Sequence, residues 1–132
     1  MTQEEKELLL KDLSARLRYG VKICCAANHK INGDLVGIVG ENAVMFSSGR
    51  TDFPISVIRP YLRPMSSMTE EEEKECIGLS RTIKIPHIGN WYEFVIANPA
   101  FTDWLNAHHF DHRGLIPMGL ALEAPEGMYN LK

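Results

Sequence analysis

The densest group of chemistry-bearing side chains lies in the segment LNAHHFDHRG, where three histidines and an aspartate fall within five residues. His108 and His112 are four positions apart, so an uninterrupted helix would project both imidazoles to one side, close to Asp111. Imidazole and carboxylate groups bind zinc, and a histidine paired with an aspartate can transfer protons in catalysis. Residues 108–112 are therefore a candidate metal site, or the centre of a small metal-dependent or His/Asp enzyme.

The same segment also fits a packing role, which we favour. It has no HExxH motif and no cysteine pair at metal spacing. His108 continues an apolar helical stripe with Trp104 and Leu105, as expected of a residue that packs at the end of a helix. We therefore predict no bound metal or cofactor. We interpret the segment as a corner between two helical units, in which Asp111 caps the second unit and His109 forms a specific hydrogen bond.

A second candidate site lies in the proline-bounded connector RPYLRPMSSM. The guanidinium of Arg63, near the hydroxyl of Ser66, could receive a carboxylate or a phosphate. Alternatively, Arg63 pairs with the glutamates that follow, and a serine holds the turn. A nucleic-acid-binding interpretation would rest on the loose basic group Arg59, Arg63 and Arg81, but the formal net charge of -3 and the lack of a basic stripe argue against it.

The cysteines indicate a redox compartment rather than a reaction. Cys24 and Cys25 are adjacent, and the chain has three cysteines in all. Neighbouring residues of a strand point to opposite faces, and an odd count argues against a disulfide framework. We expect packed thiols and a reducing, cytoplasmic location. The acidic N-terminus lacks a signal-peptide pattern, and no apolar run is long enough to cross a membrane.

Helical spacing predicts the first element. Thr2 and Glu5 have the spacing of a capping box, and leucines then recur on one helical face before Gly20. We assign residues 1–20 to an N-terminal helical segment, with the helix itself at about residues 3–18.

The pattern then changes to short strands. The segments VKICCAA, LVGIVG, AVMF and FPISVI are separated by turns, which predicts an antiparallel meander within residues 21–97. A small curled sheet such as an SH3-like barrel is one arrangement that fits. A helix inserted at residues 69–78 starts with a Thr69–Glu72 capping box, and RTIKI and WYEFVI are expected to be two further strands.

Residues 98–132 are expected to form a helical C-terminal unit, because Asn98 and Pro99 give a strong helix-start signal. The 132 residues suit a single domain. The predicted fold class is α+β, with a small antiparallel sheet flanked by the N-terminal helix and this C-terminal unit.

Two segments together resemble a family of short, uncharacterised proteins found in Bacteroidetes and their phages: VIRPYLRPMSSMTEEE and HHFDHRGLIPMGLALE. The shared patterns are LRPxSxMT and HFDxxGLIxxGLA. The matching positions are Leu62, Arg63, Pro64, Ser66, Thr69, His109, Phe110, Asp111, Gly114, Leu115, Ile116, Gly119, Leu120 and Ala121. The resemblance implies a phage or prophage context and no known activity. Its pattern includes His109 and Asp111 but neither His108 nor His112, which favours the corner interpretation over a metal site.

These observations lead us to expect a non-enzymatic binding or adaptor module whose partners are proteins or further copies of itself. No catalytic constellation emerges, whereas small sheets with open edges readily bind partners. The alternatives are the His/Asp or metal-dependent enzyme and the nucleic-acid binder. The candidate interaction residues are Arg59, Arg63, Ser66, His109 and Asp111.

Overall fold

The computed structural model describes residues 1–40, 43–47, 53–80 and 99–129, with the backbone alone at residues 76–80 and 99. The helices, in chain order, are α1 (Gln3–Arg16), α2 (Glu70–Ser80) and α3 (Pro99–Ala107). The strands are β1 (Lys22–Cys25), β2 (Asn28–Val39), β3 (Ala43–Phe46), β4 (Phe53–Pro54), β5 (Ile58–Leu62) and β6 (Leu122–Glu123). The predicted strands RTIKI and WYEFVI lie outside the described residues.

Helix α1 begins at the predicted capping box. The Thr2 hydroxyl accepts a hydrogen bond from the Glu5 backbone N–H at 3.1 Å, and the Glu5 carboxylate accepts one from the Thr2 N–H at 2.8 Å. The helix ends at Arg16 and a 3-10 turn follows, closed by Gly20 with φ 69°. Only glycine adopts this left-handed conformation without strain, which is why the chain can turn here into β1.

The described strands form one sheet in the order β4-β3-β2-β1-β5-β6. Neighbours pair antiparallel except β5 and β6, which are parallel. The order β4-β3-β2-β1 is the predicted meander, and the α+β class is confirmed. The described sheet is open, with β4 and β6 at its edges, so the SH3-like barrel is not confirmed.

The long strand β2 pairs with two neighbouring strands, one along each half of its length. Its first half pairs with β1 and its second half with β3, and an irregularity at Val36 separates Leu35, opposite Phe46, from Gly37, opposite Met45. Such a bulge bends a strand and increases its twist. One face of the bent sheet can therefore wrap around the leucines of α1.

The main core lies between α1 and this sheet face. Its buried residues are Leu9, Leu13, Val21, Ile23, Leu35, Val44, Phe46, Ile55, Ile58, Leu62, Leu115, Leu120 and Ala121. A second cluster holds Phe101, Leu105 and Phe110, with Met65, Met68 and Trp104 packed against them. This second cluster joins α3 to the connector after β5 and so fixes the position of the histidine-rich corner.

The C-terminal unit is not wholly helical, contrary to the prediction. After α3 ends at Ala107, the chain makes turns and then adds β6 to the sheet. Residues 115–119 form a turn whose chain reverses at Gly119, with φ 76°. A glycine at this position tolerates the left-handed conformation that a continuing helix would not contain.

Candidate functional site

The histidine-rich corner is built by a Schellman motif at the end of α3. The His109 N–H donates to the Asn106 carbonyl at 3.1 Å, and the Phe110 N–H donates to the Leu105 carbonyl at 3.0 Å. His109 takes the left-handed conformation, with φ 62°, at the position that glycine usually occupies. The helix therefore stops before His112, and the four-residue spacing of the sequence does not place His108 and His112 on one helical face.

Two clusters of polar side chains lie on opposite sides of this corner. We call them the inner cluster, formed by Asp12, Arg16, Asn106, His112 and Arg113, and the outer cluster, formed by Arg63, Glu72, Glu75, Trp104 and His108. Among the residues that the structure describes, no three His, Cys, Asp or Glu side chains converge so as to hold a metal ion.

The inner cluster is centred on a fully buried carboxylate, Asp12, which two arginines share. Arg16 Nε lies 2.9 Å from Asp12 Oδ2, and Arg113 Nη1 lies 2.7 Å from Asp12 Oδ1. Arg16 is itself fully buried, and its Nη2 donates to the Phe110 carbonyl. Helix α1 is thereby bonded directly to the corner.

His112 completes the inner cluster as a neutral group. Its Nε2 lies 2.8 Å from Asn106 Oδ1 and 3.1 Å from Arg113 Nη1. Burial, together with the charges of Arg113 and Arg16, lowers the pKa of His112 to about 2. A histidine in this setting is a hydrogen-bonding residue and has no proton to donate as an acid near neutral pH.

His109 stacks on Tyr129 in the C-terminal segment. The two ring centroids are 3.8 Å apart, and His109 Nδ1 is buried with no hydrogen-bond partner among the described residues. Burial, with the nearby Arg16 charge, lowers the pKa of His109 to about 4. The specific hydrogen bond expected of His109 is therefore not found at Nδ1 among the described residues.

Tyr129 in turn ties that segment to the sheet. Its hydroxyl accepts a hydrogen bond from the Lys22 N–H at 2.9 Å and donates one to the Tyr61 carbonyl at 2.7 Å. It thus bridges β1 and β5 beyond their last paired residues. Burial raises the pKa of Tyr129, so the hydroxyl keeps its proton and both of its bonds.

The outer cluster pairs Arg63 with Glu72, as one of the sequence interpretations proposed. The guanidinium binds the carboxylate through two contacts of 2.7 Å and lies 4.2 Å from the centre of the Phe110 ring. Glu72 also closes the predicted capping box with Thr69. Burial alone would raise the pKa of Glu72, but the hydrogen bonds from Arg63 and Thr69 outweigh it and lower the pKa to about 2.

His108 lies against the outer cluster. Its ring centroid is 4.2 Å from that of Trp104, and its Nδ1 is 3.4 Å from a Glu72 carboxylate oxygen without the alignment of a hydrogen bond. The Trp104 indole N–H donates to Glu75 at 2.9 Å. His108 therefore packs on the aromatic stripe that its sequence position indicated.

Two of the other sequence candidates, Asp111 and Arg59, also have structural partners. Asp111 accepts hydrogen bonds from the Leu115 and Ile116 N–H groups at 2.8 and 2.9 Å, so it caps the following turn, not a second helix. Arg59 donates to three backbone carbonyls, whereas Ser66 is exposed. Arg81 lies outside the described residues.

Both described cysteines are free and buried. Burial raises the pKa of Cys24, which keeps its thiol protonated. This agrees with the expectation of packed thiols.

The structure also contains a cleft that no sequence pattern indicated. It has a volume of about 380 Å³ and lies between the connector after β5 and the segment after β6. Its lining residues are Arg63, Pro64, Ser67, Thr69, Glu123, Ala124, Pro125, Glu126, Gly127 and Tyr129. The two walls are far apart in the sequence and meet only because β6 pairs in parallel with β5.

The inner cluster, in contrast, did have a sequence signal. Asp12 and Arg16 follow Leu9 at steps of three and seven, so both fall on the apolar face of α1. Charged residues on a buried face are rarely left unpaired, and this spacing could have pointed to the pair.

No protein-family model, curated protein or solved structure matches this chain. None of the helices that the structure describes combines the length and the apolar character needed to cross a membrane.

Proposed function

We propose that this chain is a non-enzymatic binding or adaptor module for a protein partner, and that it acts in a phage or prophage context. The proposal of a binding function rests on the cleft. An open groove beside the edge strand β6 is the kind of surface to which extended segments of other proteins bind. The context is supported by the resemblance of the LRPxSxMT and HFDxxGLIxxGLA segments to the Bacteroidetes and phage family.

The geometry gives less support to the two alternatives. His108 and His112 belong to different clusters, so they do not form the paired site that an enzyme centred on residues 108–112 would need. Arg63 is paired with Glu72, and Arg59 already donates hydrogen bonds to three backbone carbonyls, which leaves less of either guanidinium for a phosphate backbone. The buried thiols are compatible with the reducing, cytoplasmic setting that we also propose.

Two neighbouring serines provide a matched test of the cleft. Both are exposed, but Ser67 lines the cleft and Ser66 does not. Ser67→Trp should obstruct the cleft, and Ser66→Trp adds the same bulk outside it. Each variant is first checked by thermal unfolding, because Ser67 also donates a hydrogen bond to the Pro64 carbonyl at 2.7 Å.

The assay is quantitative affinity capture from the host cell with the wild type and both variants. We expect a partner that is retained by Ser66→Trp and lost with Ser67→Trp. If the partner is a second copy of this chain, sedimentation velocity should show the same dependence. A strictly monomeric protein that captures nothing, or that captures equally well with either variant, would overturn the proposal.

A further inference from the structure

The positive and the negative side chains of the cleft differ in whether they have a charged partner among the described residues. Arg63 is neutralised by its two contacts of 2.7 Å with Glu72. Glu123 and Glu126 are exposed, and neither forms an ion pair with any residue that the structure describes. Among the described residues, the cleft therefore carries negative charge that no cation pairs with, and such charge attracts a cationic ligand and repels an anionic one.

The start of α2 does not make the charge of the cleft positive. Thr69 lines the cleft and is followed at once by Glu70 and Glu71, which are both exposed. A helix N-terminus carries partial positive charge, but four glutamates in the first turn oppose it, and only Glu72 is paired with Arg63. An anion therefore gains little from this helix end.

The backbone of β6 also offers hydrogen bonds at Glu123, one of the residues that line the cleft. The Ala124 N–H donates to the Leu62 carbonyl at 2.8 Å, so the backbone groups of Leu122 and Ala124 face β5. Because alternate residues of a strand direct these groups to opposite edges, the N–H and C=O of Glu123 face away from β5. In the described part of the chain β6 is the last strand on this side. An added strand can pair there.

We propose that the cleft binds a basic, extended segment of a partner protein, which pairs with the edge of β6 that no described strand covers and sets lysine or arginine side chains beside Glu123 and Glu126. Pro64, Pro125 and the ring of Tyr129 provide apolar surface for the aliphatic stems of those side chains. The Tyr129 hydroxyl already accepts one hydrogen bond and donates another, so a ligand in the cleft would contact the ring and not the hydroxyl. This inference rests on the proposed binding function and specifies the chemistry of its partner.

The test is an NMR titration of ¹⁵N-labelled full-length chain with three blocked pentapeptides: Lys-Val-Lys-Val-Lys, Gln-Val-Gln-Val-Gln and Glu-Val-Glu-Val-Glu. We expect the lysine peptide to shift the amide signals of residues 123–129 and of Ser67 and Thr69. The glutamine peptide should bind more weakly and the glutamate peptide not at all. Binding of the lysine peptide should weaken at about 0.3 M salt, because exposed charges are then strongly screened.

Charge-neutralising variants then test the two carboxylates. Exposed ion pairs each change an affinity about two- to fivefold, so Glu123→Gln/Glu126→Gln should weaken lysine-peptide binding on the order of tenfold. Glu4→Gln/Glu7→Gln is the matched control, since both residues are exposed on α1 and do not line the cleft. This control should bind as the wild type does.

The outcomes separate this inference from the proposed function. Equal binding of the glutamine and lysine peptides, shifts confined to another surface, or no binding of the lysine peptide would each overturn the basic-segment inference. A captured partner that is lost with Ser67→Trp but retained by Glu123→Gln/Glu126→Gln would overturn it too, while leaving the binding function in place. Loss of that partner with both variants would support both proposals.

Discussion

The two sides of the corner hold their charges in different ways. In the inner cluster, the side chains of Asp12 and Arg16 are both fully buried, so neither charge has access to water. In the outer cluster, Arg63 and Glu72 keep 14% and 10% of their side-chain surface exposed. Buried charges cost a large desolvation free energy that only their partners offset, whereas partly exposed charges keep some hydration.

The comparison explains why one short segment contains histidines of unlike character. His112 enters the buried side and is held neutral, while His108 remains 23% exposed beside two glutamates. The left-handed turn at His109 separates them. Side chains that look like a single site in the sequence thus contribute to two structural joints, one to α1 and one to α2.

The largest expected effect comes from removing the shared carboxylate of the inner cluster. Asp12→Ala leaves the buried charge of Arg16 without its counter-ion, which should lower the free energy of unfolding by about 3–5 kcal/mol. Urea denaturation measures this loss. The control is Asp34→Ala, because Asp34 pairs with Lys22 at 2.9 Å on the exposed surface and should cost no more than about 1 kcal/mol. Similar losses for the two variants would remove the distinction between buried and exposed pairing.

Breaking the outer cluster should cost less. Arg63→Met keeps the length and part of the packing of the side chain, but it removes the two hydrogen bonds that Arg63 donates to Glu72, whose carboxylate then keeps, among the described residues, only the bond from the Thr69 N–H. We expect a loss of about 1.5–3 kcal/mol in the free energy of unfolding. In the background Glu72→Gln, the same substitution should cost clearly less, because no carboxylate charge is left unpaired. Equal costs in both backgrounds would show that the pair is not coupled.

Acid should affect the two clusters in different pH ranges. In the unfolded chain His112 titrates near pH 6.5, whereas in the folded protein its pKa is about 2. Below pH 6.5 the unfolded state therefore binds more protons, and the stability due to neutral His112 is lost as the pH falls. Glu72, whose pKa is lowered to about 2, behaves in the same direction but only below about pH 4.5.

Urea denaturation between pH 7 and pH 3 separates these ranges. His112→Gln should flatten the pH dependence between about pH 6.5 and 4.5 by up to about 1.4 kcal/mol per pH unit. Glu72→Gln should leave that range unchanged and alter only the more acidic one. His29 is exposed, and His29→Gln serves as the control that should change neither. An unchanged slope in His112→Gln would contradict a neutral, buried His112.

The local signals in the sequence predicted local structure well. The capping boxes at Thr2 and Thr69 depend on residues within three positions of one another, and they are where the sequence places them. The order of the meander strands is also as expected, but their bounds are not: β2 begins at Asn28, inside the expected turn, and β5 takes up the start of the expected connector. The four-residue spacing of His108 and His112 places both side chains on one face only if the helix continues, and α3 ends at Ala107. The cleft depends on the parallel pairing of β5 with β6, two segments about 60 residues apart, and no local pattern encodes that pairing.

The smallest effect tests the turn that separates the two clusters. His109 adopts φ 62°, where a side chain with a Cβ atom is strained by about 1 kcal/mol relative to glycine. His109→Ala and His109→Gly both lose the ring that stacks on Tyr129, but only alanine keeps the strain. We therefore expect the glycine variant to be more stable than the alanine variant by about 1 kcal/mol in urea denaturation. If the alanine variant were as stable as the glycine variant, or more stable, the left-handed turn at His109 would not be what ends α3 and separates His108 from His112.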